Sequence, residues 1–315
     1  VRVIDTAAEN ITLDEIINRA REFSPDVAGA GGQTPISHQS LEIFRRLKRE
    51  VGRSIITIAG GPHFTFTAEE SLLECPELDI VVRGEGEYTI RDLCRRLAAG
   101  QGLDGVAGIT RRTDKGQIVT NPDREPIEDI NSLPFPAWHL FPIKKYHWTG
   151  INMLGAITSR GCRYGCPHCV TWKMHKGVRF RDPAKIVEEL VWVKKMFGID
   201  TFYFHDDAAF TDRQQLEGFL DALERSGETL YWYYESRDDT FFSYQDLWPR
   251  MKKNGLFKIA LGLDTPNAAA RRFYGRKALN LEETERMLSF LKHEIGIQVS
   301  VYLLLGSPDE TEQSM

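Results

Sequence analysis

Apolar residues recur along positions 1–120 with two alternating periods. In LDEIINRAREF, Leu13, Ile16, Ile17, Ala20 and Phe23 share one face of a helix, and Leu41, Phe44, Leu47 and Val51 do the same in SLEIFRRLKREVG. AEESLLEC and YTIRDLCRRLAAG read as two further helices. Between the helices stand short β-branched runs: VRVID, VAGAGG, SIITIAGGPH and DIVVRGEGE. Strand, glycine loop and helix in series predict an α/β fold with a doubly wound parallel sheet, whose ligands gather beyond the carboxyl ends of the strands. GVAGITRRTDKGQIVTN follows and reads as a hairpin turning at Asp114-Lys115-Gly116.

The pattern lapses over 121–150, where prolines at 122, 126, 134, 136 and 142 mark a linker. It resumes over 151–315 in longer units. LGAITSR, TFYFHDD, TLYWYYES, FKIALGL and IQVSVYLLLG read as strands separated by helices, and Asp182 with Pro183 forms a cap and first-turn pair for DPAKIVEELVWVKKMFG. Five such strands predict a partial parallel α/β barrel of TIM type, with its active site at the carboxyl ends of the strands. The expected organisation is therefore 1–120, a linker at 121–150, and 151–315.

Composition narrows the function. The 315 residues are 42% hydrophobic, enough for two cores, and the net charge of −5 offers no field for nucleic acid. No apolar run approaches the ~18 residues of a membrane span, and VRVIDTAAEN lacks the features of a signal peptide, so a cytoplasmic protein is expected. Of the five cysteines, Cys75 and Cys94 read as buried small hydrophobes. The aromatics Trp172, Tyr203, Tyr231, Trp232 and Tyr233 fall near barrel strands or loops, most of them as core.

The chemistry lies in Cys162, Cys166 and Cys169, a C-x3-C-x2-C run on the loop after the first barrel strand. Three thiolates suit either an iron–sulfur cluster with one open iron, or zinc with His168 or His175 as a fourth ligand. SRGCRYGCPHC resembles the signature loop of the radical S-adenosylmethionine (SAM) enzymes. The resemblance implies that the three cysteines hold a [4Fe-4S] cluster whose open iron SAM chelates. His168 takes the place of the family's aromatic residue before the last cysteine, against the adenine. Asp206 and Asp207 match the place that receives the SAM amino group, Arg237 that of an arginine near its carboxylate, and Asp264 that of a glutamate on the following strand. Two plainer readings stand beside these: a helix N-terminal charge pair for the aspartates and a surface ion pair for Arg237. LLLGSPDET resembles a later structural turn of the family.

GAGGQT at 29–34, GGPH at 60–63 and GEGE at 84–87 resemble the loops of cobalamin-binding domains fused ahead of such barrels. Gly31, Gly32, Gly60, Gly61 and Gly84 are the implied cobalamin contacts, with tight turns as the plainer reading, and His63 is either beside the cofactor or a hydrogen-bonded loop residue. The cobalt-ligating D-x-H-x-x-G motif is absent.

The resemblance implies reductive cleavage of SAM to a 5′-deoxyadenosyl radical and methylation of an unactivated carbon from methylcobalamin. The substrate would be a small molecule or peptide, and the reductant a donor such as flavodoxin or ferredoxin. CVTWKMHKGVRFRDP, with Trp172, Lys173, Arg179, Arg181, Asp182 and Pro183, resembles instead the anaerobic magnesium-protoporphyrin ester cyclases, which implies oxidative ring formation or a rearrangement. A zinc-stabilised binding protein is the reading outside enzymes. The resemblance further implies that both domains are truncated, lacking a strand–helix unit before Val1 and at least one after Met315.

Overall fold

The computed structural model describes residues 1–277, 279–307, 310 and 311. Pro308 and Asp309 of the SPDET turn, and Met315, lie outside the described residues. The chain divides into two units, Val1–Ile127 and Glu128–Met315.

In the first unit, strands Val27–Gly31, Ile56–Gly60 and Ile80–Val82 run parallel, with Gly31 opposite Gly60 and Ile58 opposite Ile80. The hairpin Ile109–Arg112/Ile118–Thr120 then adds two antiparallel strands, so the sheet is mixed at that edge. Ile17, Leu41, Phe44 and Leu47 pack with Ala59, Phe64, Leu72, Cys75 and Val81, while Ile58, Ile80 and Val82 pack with Leu93, Val106 and Ile109. Alternate residues of the same strands thus feed two cores, the signature of a sheet covered on both faces.

Two local expectations are corrected. VRVID is not a strand: it pairs with no other described strand, and Asp5, itself extended, accepts the Ala8 N–H at 3.0 Å and caps the short helix Thr6–Glu9 that follows. Cys94 is exposed, not buried, because helix Gly86–Ala98 buries Thr89 and Leu93, and the next residue points about 100° away.

The second unit carries five parallel strands in sequential order: Leu154–Ala156, Thr201–Phe204, Tyr231–Arg237, Leu256–Asp264 and Gln298–Leu303. Asp182 caps helix Pro183–Phe197 through the Ala184 N–H, and Asp212 caps Arg213–Ser226, placing both helices against one face of the sheet. That face buries Phe202, Phe204, Trp232, Tyr234 and Ile259. Most of the proline-rich stretch packs onto this unit: Ile143 is buried, with Trp138, Phe141 and Tyr146 against the same core.

Register aligns the opposite face in layers. Gly155, Tyr203, Tyr233, Lys258 and Gln298 form one, Glu235, Ala260 and Ser300 the next, and Arg237, Gly262 and Tyr302 the last before the cysteine loop. Of the aromatics read as core, Trp232 and Tyr233 are buried, Tyr203 is half-buried, and Tyr231 and Trp172 are exposed.

Candidate functional site

The cysteine loop leaves and returns on paired short strands, Ser159–Arg160 against Arg179–Phe180. Its departure point is pinned from the next barrel strand. The Asp206 carboxylate accepts both backbone N–H and hydroxyl of Thr158, at 2.9 and 2.7 Å, and those of Ser159, at 2.5 and 2.7 Å. Burial pushes this carboxyl up to about 6 against the pull of those bonds. Asp207 accepts the Gly161 N–H at 3.0 Å and faces His175 Nε2 at 3.5 Å; burial pushes its carboxyl up, while His175 and Gly161 pull it down. At the far end, Arg181 reaches the Ile157 carbonyl at 3.0 Å and Glu189 at 2.6 Å.

Gly161 has φ +89°, and a Cβ there would run into the Gly177 carbonyl. Gly161→Ala is therefore expected to prevent the loop from closing, with iron uptake lost and a lowered melting temperature; wild-type iron content in the variant would refute this.

The three cysteines are half-buried and lie in one loop. Burial pushes the Cys162 thiol up, and Cys166, Cys169 and Asp207 add to that shift electrostatically. The Cys169 N–H bonds the Cys166 carbonyl at 3.0 Å, and Trp172 Nε1 bonds the same oxygen at 3.1 Å. His168 is exposed and meets Tyr274 edge-on at 4.7 Å. Among the described residues no group of three or more His, Cys, Asp or Glu is arranged to hold a single metal ion. His168 meets Tyr274, and His175 faces Asp207. A cluster binds each thiolate through a separate iron and needs no convergence on one point.

Three of the residues expected to contact SAM have partners within the chain. Both Asp206 oxygens face the turn before the cysteines, Oδ1 accepting from Thr158 and Ser159 and Oδ2 from the Thr158 N–H alone. Asp264 is buried at φ +62°, and its carboxylate pairs with Arg276. Arg237 turns its Nε–Nη2 edge to Asp239, at 3.0 and 2.8 Å.

In the first unit the glycine loops sit at the carboxyl ends of the parallel strands, as expected. Gly61 has φ +93°, and its Cβ would lie 3.3 Å from the Gly32 backbone, so these two loops pack directly on each other. Gly31 and Gly60 are opposite one another in the ladder, the Gly31 Cβ position being 3.4 Å from the Gly60 carbonyl. Gly84, at φ +68°, has open space around it. His63, in the short helix Pro62–Phe66, places Nδ1 3.2 Å from Thr34 Oγ1.

Residues 156–315, within the second unit, match the family model "Radical SAM superfamily". The chain belongs to the radical SAM superfamily. Residues 1–94 match a second model, "B12 binding domain". Together the two domains imply cobalamin, a [4Fe-4S] cluster and SAM as cofactors. An uncharacterized methyltransferase of Pyrococcus horikoshii is 27% identical over all of this chain and 68% of its own length. The anaerobic magnesium-protoporphyrin IX monomethyl ester cyclase of Rubrivivax gelatinosus is also 27% identical, over 99% of this chain and 56% of its own. The chain thus spans only part of the length of these relatives. The fold is that of the radical SAM methyltransferase TsrM from Kitasatospora setae, solved with cobalamin and a [4Fe-4S] cluster: TM-score 0.78, 17% identity, over 100% of this chain and 62% of that one. No described helix is long and apolar enough to cross a membrane.

The radical SAM barrel holds a charge network that the sequence reading missed. Asp238, 2% exposed, accepts from Arg271 Nη2 at 2.7 Å and Arg276 Nη1 at 3.0 Å, and Arg276 also meets Asp264. Arg271 further donates to the carbonyls of Leu263 and Lys277, so it ties two strand ends to the segment bearing Tyr274. Facing the lumen, Tyr302 bonds Glu235 at 2.9 Å, and Tyr203 stacks on Tyr233 at 4.3 Å with His205 edge-on. The alternation of strand residues was the available signal for that face; the distant Arg–Asp pairing left none.

Proposed function

We propose that the chain is a cobalamin-dependent radical SAM methyltransferase acting on an unactivated carbon of a small molecule or peptide. What carries the reading is the cysteine loop: three half-buried thiols set at the carboxyl ends of parallel strands, in a chain that also matches a B12-binding domain. Cys162, Cys166 and Cys169 would hold the cluster, leaving one iron for SAM. Gly84 and the Gly31–Gly32 and Gly60–Gly61 loops present backbone without side chains, which suits a bulky nucleotide tail. When bound, these groups supply one-electron cleavage of SAM and a transferable methyl group.

The chain's own contribution is positional. Asp206 and Asp207 fix the backbone from Thr158 to Gly161, and thereby the direction in which Cys162 leaves the strand. His168 on Tyr274 and Tyr164 under Arg237 hold the remainder of the loop. A one-electron donor of the flavodoxin or ferredoxin class would supply the electron.

The test is anaerobic reconstitution with iron, sulfide and cobalamin, followed by reductant and SAM. Reductive SAM cleavage is expected, and with substrate a methylated product beside S-adenosylhomocysteine. Zinc held in place of iron and no SAM cleavage would overturn the reading. A cyclase reading keeps support from the equal identity to the Rubrivivax enzyme. In CVTWKMHKGVRFRDP, however, Arg181 serves Glu189 and Ile157, and Asp182 caps a helix, so those residues have structural work here. A new ring without methylation would favour the cyclase.

The Asp206 carboxyl gives a pH signature. It keeps its proton up to about 6 in the folded chain against 3.8 in a free one, so the folded state binds the extra proton between those values. The stabilisation is full below 3.8 and lost as the pH rises through about 6. Acidifying from about pH 7 to 5 should therefore raise the melting temperature of the wild type more than that of Asp206→Asn; equal shifts would assign the effect to other groups.

A further inference from the structure

Arg237 ends the third barrel strand and meets the cysteine loop from below. Its guanidinium is held on three sides: Asp239 takes Nε and Nη2 at 3.0 and 2.8 Å, the Gly275 carbonyl lies 3.3 Å from Nη2, and the Tyr164 ring lies 4.1 Å beneath Cζ. Tyr164 stands between Cys162 and Cys166, and its hydroxyl bonds Thr240, beside Asp239. The one nitrogen this arrangement leaves is Nη1, and it points at Cys166 Sγ, 4.0 Å away.

We propose that Arg237 is a positioning residue that donates to the Cys166 thiolate and sets the reduction potential of the cluster; this rests on the cluster assignment under Proposed function. Reduction adds negative charge to the cluster and its thiolates. A fixed cation and N–H donor beside one sulfur stabilises the reduced form more than the oxidised one and makes it easier to reach. Asp239 and Tyr164 keep the guanidinium from swinging to a carboxylate ligand. The residue therefore acts through the sulfur and not on SAM.

The test uses the full chain, reconstituted anaerobically, as wild type, Arg237→Lys and Arg237→Gln. Iron and sulfide content, the reduced fraction by electron paramagnetic resonance at fixed potentials, and SAM affinity by equilibrium dialysis are measured. Arg237→Gln should hold a full cluster and bind SAM within about twofold of wild type. Its reduced-to-oxidised ratio at the wild-type midpoint should fall about tenfold, and Arg237→Lys should recover part of that.

An unchanged ratio overturns the proposal. If SAM binding weakens about tenfold at the same time, Arg237 is a carboxylate ligand after all. Failure of both variants to take up a cluster overturns it in favour of a purely structural clasp. Failure of the wild type to take up any cluster instead overturns the assignment beneath it, and is distinguished by that sample alone.

Discussion

Replacing Cys162, Cys166 and Cys169 by alanine is expected to remove the chain's iron, the cluster's share of its visible absorption and its SAM cleavage, while leaving the fold and cobalamin binding in place. The thiols are half-buried in a loop whose ends are fixed by Asp206, Asp207 and Arg181 and not by the sulfurs. Losing them should therefore change thermal stability by no more than about 0.5 kcal/mol in the apo chain. Each thiolate would bind a different iron, so the set works as a unit. A single alanine should cost nearly as much as all three, at least about 1000-fold in cleavage rate. Iron analysis, the absorption spectrum and 5′-deoxyadenosine yield check this together. A triple variant that still took up iron and cleaved SAM would overturn the assignment. Loss of cobalamin binding in the same variant would show instead that the two units do not act separately.

Asp238→Ala is expected to be the most destabilising single change in the barrel. Arg271 is 1% exposed and Asp238 2%, and their contact at 2.7 Å is joined by Arg276 at 3.0 Å. Two guanidinium groups there face two carboxylates, Asp238 and Asp264, so the network is neutral. Removing Asp238 leaves one buried positive charge uncompensated, and breaking such a pair costs about 3–5 kcal/mol. For a unit of this size that is a fall of roughly 10 °C in melting temperature. Differential scanning calorimetry and denaturant midpoints measure it, and a loss under about 1 kcal/mol would mean that the site behaves as a solvated surface pair. The effect should reach the cysteine loop as well. Arg271 and Arg276 flank Tyr274, which meets His168, and Gly275, whose carbonyl meets Arg237. Cluster uptake is therefore expected to fall in step with stability, a coupling that iron content measured on the folded fraction tests.

The two corrected termini of the sequence reading share a cause with what it missed. Short-range rules treat Asp5 as the end of a strand, yet its carboxylate finds the Ala8 N–H three residues on. They place Cys94 by apolar periodicity, yet one step past Leu93 the helix faces water. Asp206 and Arg237 were legible through their resemblance to the strand-end positions of the radical SAM enzymes. Their partners were not, because Thr158 is 48 positions from Asp206, and Cys166 is 71 from Arg237.

The sequence by itself determined the alternation of strands and helices, the Asp182–Pro183 helix start and the cysteine spacing. Each depends on residues within a turn or two of one another, where periodicity, capping and loop closure act without reference to the rest of the chain. Only the tertiary structure decided that Asp206 serves the turn before the cysteines, that Arg237 offers its last nitrogen to a sulfur, and that Asp238 and Asp264 together neutralise Arg271 and Arg276. Those outcomes follow from strand register and burial. A polar group taken out of water binds the nearest complementary group, and which group is nearest is set by packing, not by position along the chain.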